Sequence, residues 1–165
     1  MVETADGFDH LDEIRVLFDE YTAMLVSLDP SFQKYLDLQH YDQEARDPSG
    51  KYSPPDGRLI IIFKDGLSAG CAALRKLDES RCELKRLYVR PEFRNNGLAH
   101  VLLDKIIAEA KAIGYRQMLL DTLPQLESAL QLYEKYGFRK TECYNDSPVE
   151  TTIFMALDLK DEKDA

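Results

Sequence analysis

The chain has no tryptophan, only three cysteines and only three histidines, and these shortages close several routes at once. Cys71, Cys82 and Cys143 are odd in number, widely separated and without a Cys-x-x-Cys pair. They suit neither a disulfide framework nor a zinc cluster and read as packed or idle thiols. His10, His40 and His100 are equally scattered and lack metal-ligand spacing, so no metal is expected. No apolar run approaches the roughly 20 residues a membrane helix needs, which argues against a membrane partner. Met1 to His10 carries Glu3, Asp6 and Asp9 but no basic cluster, so neither a secretory signal nor a transit peptide is read there, and a cytoplasmic location is expected. Gly-x-Gly-x-x-Gly and Gly-Lys-Ser/Thr are both missing, which excludes the dinucleotide fingerprint and the nucleoside triphosphate loop.

What is present describes one globular domain spanning 1–165. Its 165 residues can bury a core of their own, with 44% hydrophobic and 31% charged residues. A net charge of -9 repels a phosphate backbone, so no nucleic-acid partner is expected. The densest basic stretch, Lys85, Arg86, Arg90 and Arg94, calls for something smaller than DNA.

Ile14, Leu17, Phe18, Tyr21, Leu25 and Leu28 share one helical face, predicting an amphipathic helix over Phe8–Leu28. A short helix is expected at Ser31–Leu38, and the polar, proline-bearing stretch Tyr41–Gly57 reads as a loop. Leu59 to Phe63 is a buried-strand run, and Asp65-Gly66 turns it into a second strand through Cys71 and Leu74. A third strand, Cys82–Val89, ends at Arg90-Pro91. Ala99, Leu102, Leu103, Ile106, Ile107 and Ala110 then define a helix stopped at Gly114. Gln117–Thr122 reads as a strand, parallel to its predecessor through a right-handed crossover. Pro124 is expected to open the next helix, with Leu126, Ala129, Leu130 and Tyr133 on its buried stripe, and Gly137 ends it. Thr151–Leu159 alternates as a terminal antiparallel strand, and 160–165 is expected to fray. The sum is an α/β (α+β) domain with a mixed sheet of six or seven strands.

The chemistry lies between the third strand and the helix after it, at Arg94-Asn95-Asn96-Gly97-Leu98-Ala99. A helix start exposes unpaired N–H groups and a partial positive charge, which together favour an anion. Gly97 lets the backbone come close, Ala99 keeps the first turn slim, and Arg94 adds a permanent cation. Taken alone, this is an anion site at a helix start.

Its neighbours say more. Glu83-Leu84-Lys85-Arg86-Leu87-Tyr88-Val89-Arg90-Pro91, then Arg94-x-x-Gly97-x-Ala99, then Ala129-x-x-Leu132-Tyr133-Glu134-Lys135-x-Gly137-Phe138 resemble the GNAT superfamily of N-acetyltransferases. The resemblance covers about half the chain in recognisable motifs. It implies a GNAT-like, mostly antiparallel sheet flanked by about four helices, and acetyl-CoA as cosubstrate. It implies that backbone groups of Leu87, Tyr88 and Val89 hold the pantetheine arm. The amides of Arg94, Asn95, Asn96, Gly97, Leu98 and Ala99 would hold the pyrophosphate. Arg90 could add charge there or be an ordinary strand-end residue.

The resemblance also places Tyr133 near the coenzyme sulfur as the candidate general acid, with Tyr136 the poorer choice. A phenol can donate to a thiolate leaving group, and an amine near pKa 10.4 must lose a proton before it attacks. Glu83 is the best-placed acceptor for that proton, with Asp121 or a water as alternatives. The implied reaction is direct acetyl transfer to a primary amine, on a small molecule or a protein, without a covalent enzyme intermediate. The competing function is a catalytically silent CoA-binding sensor or interaction module. Two departures stand out: Leu126 replaces an asparagine common in similar sequences, and only Met1–Ala5 remains for the usual first strand. Acceptor pockets in such proteins come from variable loops, here Tyr41–Gly57 and Tyr144–Glu150. Homodimers occur among similar proteins, and the residues leave that question open.

Overall fold

Leu59 to Ile62 is apolar without alternation because its strand lies inside the sheet and is covered on both faces. In the computed structural model, which describes residues 1–159, this run is strand β2 (Arg58–Lys64). Ile60 and Ile62 join one core, while Leu59 and Ile61 join another on the opposite face. The tail expected to fray, 160–165, lies outside the described residues.

Strand β1 (Val2–Asp6) pairs antiparallel with β2, from Val2 opposite Lys64 to Asp6 opposite Ile60. The few residues ahead of the first helix thus form the edge strand that was hard to place from sequence. Asp65 and Gly66, both at positive φ, turn β2 into β3 (Leu67–Lys76), the geometry expected of a two-residue hairpin. β3 pairs antiparallel with β4 (Arg81–Val89), which lies parallel to β5 (Gln117–Thr122). β7 (Ile153–Asp158) and a two-residue β6 (Arg139–Lys140) complete the order β1-β2-β3-β4-β5-β7-β6. The sheet has seven strands and is mostly antiparallel, within the range expected.

Helix α1 (Leu11–Leu28) covers one face, seating Ile14, Leu17 and Phe18 on β2 and β3. Three short helices follow it: α2 (Phe32–Leu38), α3 (Tyr41–Arg46) and α4 (Ser49–Tyr52). The stretch Tyr41–Gly57, expected to be a loop, therefore carries two helices. Its prolines lie at or beyond the helix ends, where a missing N–H costs little, and Tyr52 supplies the apolar anchor, fully buried against α1 and the sheet. Among the described residues these make six α-helices, against the four or so expected.

The other face is covered by α5 (Leu98–Ile113) and α6 (Glu127–Lys135). Leu98, Leu102, Leu103, Ile106 and Ala110 are buried at the predicted helical spacing. α6 starts at Glu127, not at Pro124. Leu126 is its N-cap and offers no side-chain bond to the first turn, so a leucine there costs the helix a cap.

Candidate active site

The site begins where two parallel strands part. β4 and β5 are matched from Arg81–Gln117 to Glu83–Leu119; beyond Glu83, β4 has no strand partner on that side among the described residues, and β5 continues along β7. The parted strands leave a cleft lined by Leu84, Lys85, Arg86 and Leu87 of β4, Leu120 to Leu123, Tyr21 of α1 and Tyr133 of α6.

β4 also changes phase inside this cleft. Tyr88 faces Cys71 and Lys85 faces Ala73, so three steps on β4 match two on β3. The extra residue is Arg86, at φ 58, the left-handed conformation that a β-bulge can impose. Cys82 and Leu84 point to the α5 side, and so do Leu87 and Val89. Between them, Lys85 and Arg86 both reach toward α2 and α3: Lys85 Nζ lies 5.9 Å from the Tyr35 ring centre and Arg86 Cζ lies 5.3 Å from that of Tyr41. Gly70 is required opposite, because a Cβ there would stand 2.3 Å from the Tyr88 carbonyl oxygen.

Arg86 is 2% exposed and its partner Glu44, from α3, is 0% exposed. Arg86 Nε and Nη2 donate to the two Glu44 oxygens at 2.7 and 2.9 Å, and Lys51 Nζ donates to the same carboxylate at 2.7 Å. Burial opposes the charge on Glu44, but Arg86 and then Lys51 outweigh it and hold the carboxyl down at about 2. Glu44 pins the bulge from below.

The predicted base, Glu83, is 3% exposed, neither solvent-facing nor bonded to Lys85. It accepts from Tyr144 Oη at 2.5 Å and lies 3.6 Å from Arg75 Nε. Asp121 accepts from Tyr35 Oη, and from Asn145 Nδ2 at 2.8 Å. Burial and then Asp121 push the Tyr35 phenol far up, and burial and then Glu83 do the same to Tyr144. Both phenols stay protonated donors. Tyr144 and Asn145 come from the second expected acceptor loop. Glu44 and Lys51 come from the first.

Tyr133 is buried against Phe138, with ring centres 5.6 Å apart, and lines the cleft. Burial, followed by Tyr21 and Asp121, raises its pKa far above the ordinary phenol value. Tyr136, the poorer candidate, points outward and donates to Asp104 at 2.6 Å.

β4 delivers the chain through a single 3-10 turn at Pro91–Phe93 to the predicted anion turn. Asn95 and Gly97 both take positive φ, 65° and 75°, which curls successive amides toward one side. α5 starts at Leu98 with no side-chain cap, so its first N–H groups are unspent. Leu98 is buried, Ala99 is half-buried, and Arg94, Asn95, Asn96 and Gly97 are exposed. Nothing lies within 4 Å of a Cβ built on Gly97. Arg94 Nε donates to the Val89 carbonyl at 3.0 Å, so that carbonyl is already occupied. Arg90 is committed elsewhere: its guanidinium donates to Glu20 at 3.0 and 2.8 Å and to Ser68, which makes it a structural strand-end residue.

The sequence singled out none of Tyr35, Gln39, Glu44, Tyr144 and Asn145 individually, although Glu44, Tyr144 and Asn145 lie in the stretches Tyr41–Gly57 and Tyr144–Glu150 expected to form the acceptor side. The one available signal was Lys85-Arg86, two adjacent cations inside an otherwise apolar strand.

Comparison with known proteins agrees with this architecture. The model described as the acetyltransferase (GNAT) family matches residues 16–138. An uncharacterized N-acetyltransferase of Schizosaccharomyces pombe is 36% identical over 151 residues, covering 90% of this chain and 88% of its own. A crystal structure of an acetyltransferase from Streptococcus agalactiae superposes with a TM-score of 0.77 at 19% identity, covering 96% of this chain and 98% of that one. A GNAT family acetyltransferase from Elizabethkingia anophelis with acetyl-CoA bound is 27% identical, with a TM-score of 0.54 over 63% of this chain and 77% of that one. The chain belongs to the GNAT acetyltransferase family and is an acyltransferase.

Proposed function

We propose that the protein transfers the acetyl group of acetyl-CoA to a primary amine by direct attack. The observation that carries this reading is the free edge of β4 running from the cleft to the uncapped start of α5. An extended amide-bearing arm can add to such an edge by backbone hydrogen bonds. The pantetheine of coenzyme A is such an arm, and its pyrophosphate then falls at the helix start. Acetyl-CoA bound to the Elizabethkingia anophelis relative supports the same donor.

In this reading, Leu87 and the Val89 N–H supply backbone groups to the pantetheine, while Tyr88, expected beside them, turns its own toward β3, as Arg90 does two residues on in bonding to Ala69. Amides of Arg94 to Ala99 hold the pyrophosphate. The thioester carbon sits in the cleft between Glu83 and Tyr133. Glu83 takes a proton from the ammonium, directly or through water, and the neutral nitrogen attacks the carbonyl carbon. The tetrahedral intermediate collapses as the C–S bond breaks. Tyr133, held protonated by burial, gives its proton to the departing thiolate and recovers one from the nitrogen that attacked, leaving a neutral amide and a free thiol. Burial holds the Cys71 and Cys82 thiols up, Cys82 at about 12, so neither is poised as a nucleophile.

The test is to incubate the purified protein with acetyl-CoA and a broad amine panel, following free thiol release and acetylated product by mass spectrometry. Product with at least one amine is expected. Tight acetyl-CoA binding with no transfer to any amine would favour a silent CoA-binding module.

A further inference from the structure

Three cations meet one carboxylate at the bulge. Lys51 and Arg86 share Glu44 through three hydrogen bonds. Lys85 makes no bond to that carboxylate. Its Nζ donates only to Gln39 Oε1, at 3.1 Å, and Arg86 Nη2 takes the same oxygen at 2.9 Å. Among the described residues no carboxylate lies within 4.0 Å of Lys85 Nζ.

Lys85 is 6% exposed. An ammonium has three donors, and here a single neutral amide oxygen uses one of them. A buried cation without a counter-charge is expensive unless an anion joins it. Beside it, Gln39 Nε2 is also buried without a partner, a second unspent donor one carboxamide's width from the oxygen Lys85 holds. Lys85 lines the cleft, and two adjacent donors suit the two oxygens of a carboxylate.

The other half of the cleft has the opposite character. Glu83 is two residues before Lys85 on the same strand, roughly 7 Å away along the backbone, and Asp121 of β5 lines the cleft together with Lys85. A proton acceptor and a stranded cation therefore stand a few bonds apart. The cleft beside Lys85 is walled by the large side chains Tyr21, Phe32, Leu120 and Tyr133. A slim acceptor fits better than a bulky one.

We infer that the amine acceptor is a small amino acid: its nitrogen lies toward Glu83 and its carboxylate is held by Lys85 and the Gln39 carboxamide. This rests on the acetyl transfer proposed above and adds the class of acceptor.

The test compares each amine with its carboxylated counterpart: ethylamine with alanine and β-alanine, and propylamine with γ-aminobutyrate. With acetyl-CoA saturating, at least one amino acid should exceed its parent amine in kcat/KM by about 10- to 100-fold, the scale of a hydrogen bond to a charged group. Lys85→Met should bring that ratio close to one, chiefly through KM, and Lys85→Arg should retain part of it. Butyrate should compete with the amino acid in the wild-type protein, whereas butanol should not, a readout that needs no variant to fold. Equal or better use of the parent amines, no competition by butyrate, or an unchanged ratio in Lys85→Met would each overturn the inference while leaving acetyl transfer intact. Failure to bind acetyl-CoA at all would overturn both.

Discussion

The Glu44 carboxylate clasps the Arg86 guanidinium through both oxygens, across 42 positions of sequence. The pair joins α3 to the one residue of β4 that breaks the strand's alternation. Because both partners are buried, the stability of that bulge depends on the charge of each.

Glu44→Gln should therefore destabilise the fold by about 3–5 kcal/mol, the cost of leaving a buried charge without its partner. Chemical denaturation followed by far-ultraviolet circular dichroism measures it. A loss below about 1 kcal/mol would mean that Lys51 and Arg86 find other partners or water.

The same carboxylate predicts an acid limit. Its ordinary pKa is 4.5 and its folded value is about 2, so as pH falls the unfolded chain takes up the proton first. The contribution of Glu44 is complete above about pH 4.5 and disappears as pH falls toward 2. Denaturation midpoints of the wild-type protein should fall through that window, and those of Glu44→Gln should fall less steeply.

Tyr133→Phe keeps the packing against Phe138 and removes only the donor. It should lower kcat by about 100-fold, the lower range for a group acting on a leaving atom, while calorimetry shows acetyl-CoA affinity within a factor of about two. Unchanged turnover would leave Tyr133 as a core residue alone.

Gly97→Ala tests the anion turn. The backbone there has φ 75, so a methyl group adds about 1–2 kcal/mol of strain and projects into open space rather than into the protein. Acetyl-CoA affinity should fall at least about tenfold, with a loss of folding stability no larger than that strain, about 1–2 kcal/mol. An unaffected dissociation constant would move the pyrophosphate elsewhere.

Glu83→Gln and Asp121→Asn separate the two carboxylates. If Glu83 is the base, its variant should lose about 100-fold in kcat at neutral pH and recover part of it at alkaline pH, where more amine is already neutral. Asp121→Asn should act mainly on KM. The reverse pattern would exchange their roles.

Much of the fold was legible in the chain because its elements declare themselves by period. The stripe of α5, the apolar run of β2 and the Asp65-Gly66 turn are each decided by neighbours within a few residues. The donor side was legible for a similar reason: strand, turn, glycine and helix start follow one another from Leu87 to Ala99. The acceptor side was not, because its groups come from distant segments. Tyr35 reaches Asp121 across 86 positions and Tyr144 reaches Glu83 across 61, and no local pattern encodes such meetings. The helices α3 and α4 were read as loop because they are short and polar, and their burial rests on Tyr52 and on Glu44 meeting Arg86. Nor could spacing alone reveal that Arg86 sits at positive φ, a conformation its own side chain disfavours and its surroundings impose.

The bulge has an arithmetic consequence for how such a protein can vary. A strand counts its side chains in twos, and one supernumerary residue resets the count. In the proposed reaction, the segment before Arg86 serves the amine and the segment after it serves the thioester, each with its own phase. Substitutions at Lys85 can then retune which amine is admitted without disturbing the donor arm. Deleting Arg86 would restore an even ladder with Lys85 and Leu87 still on opposite faces, and would take away the guanidinium through which Glu44 ties α3 to the strand.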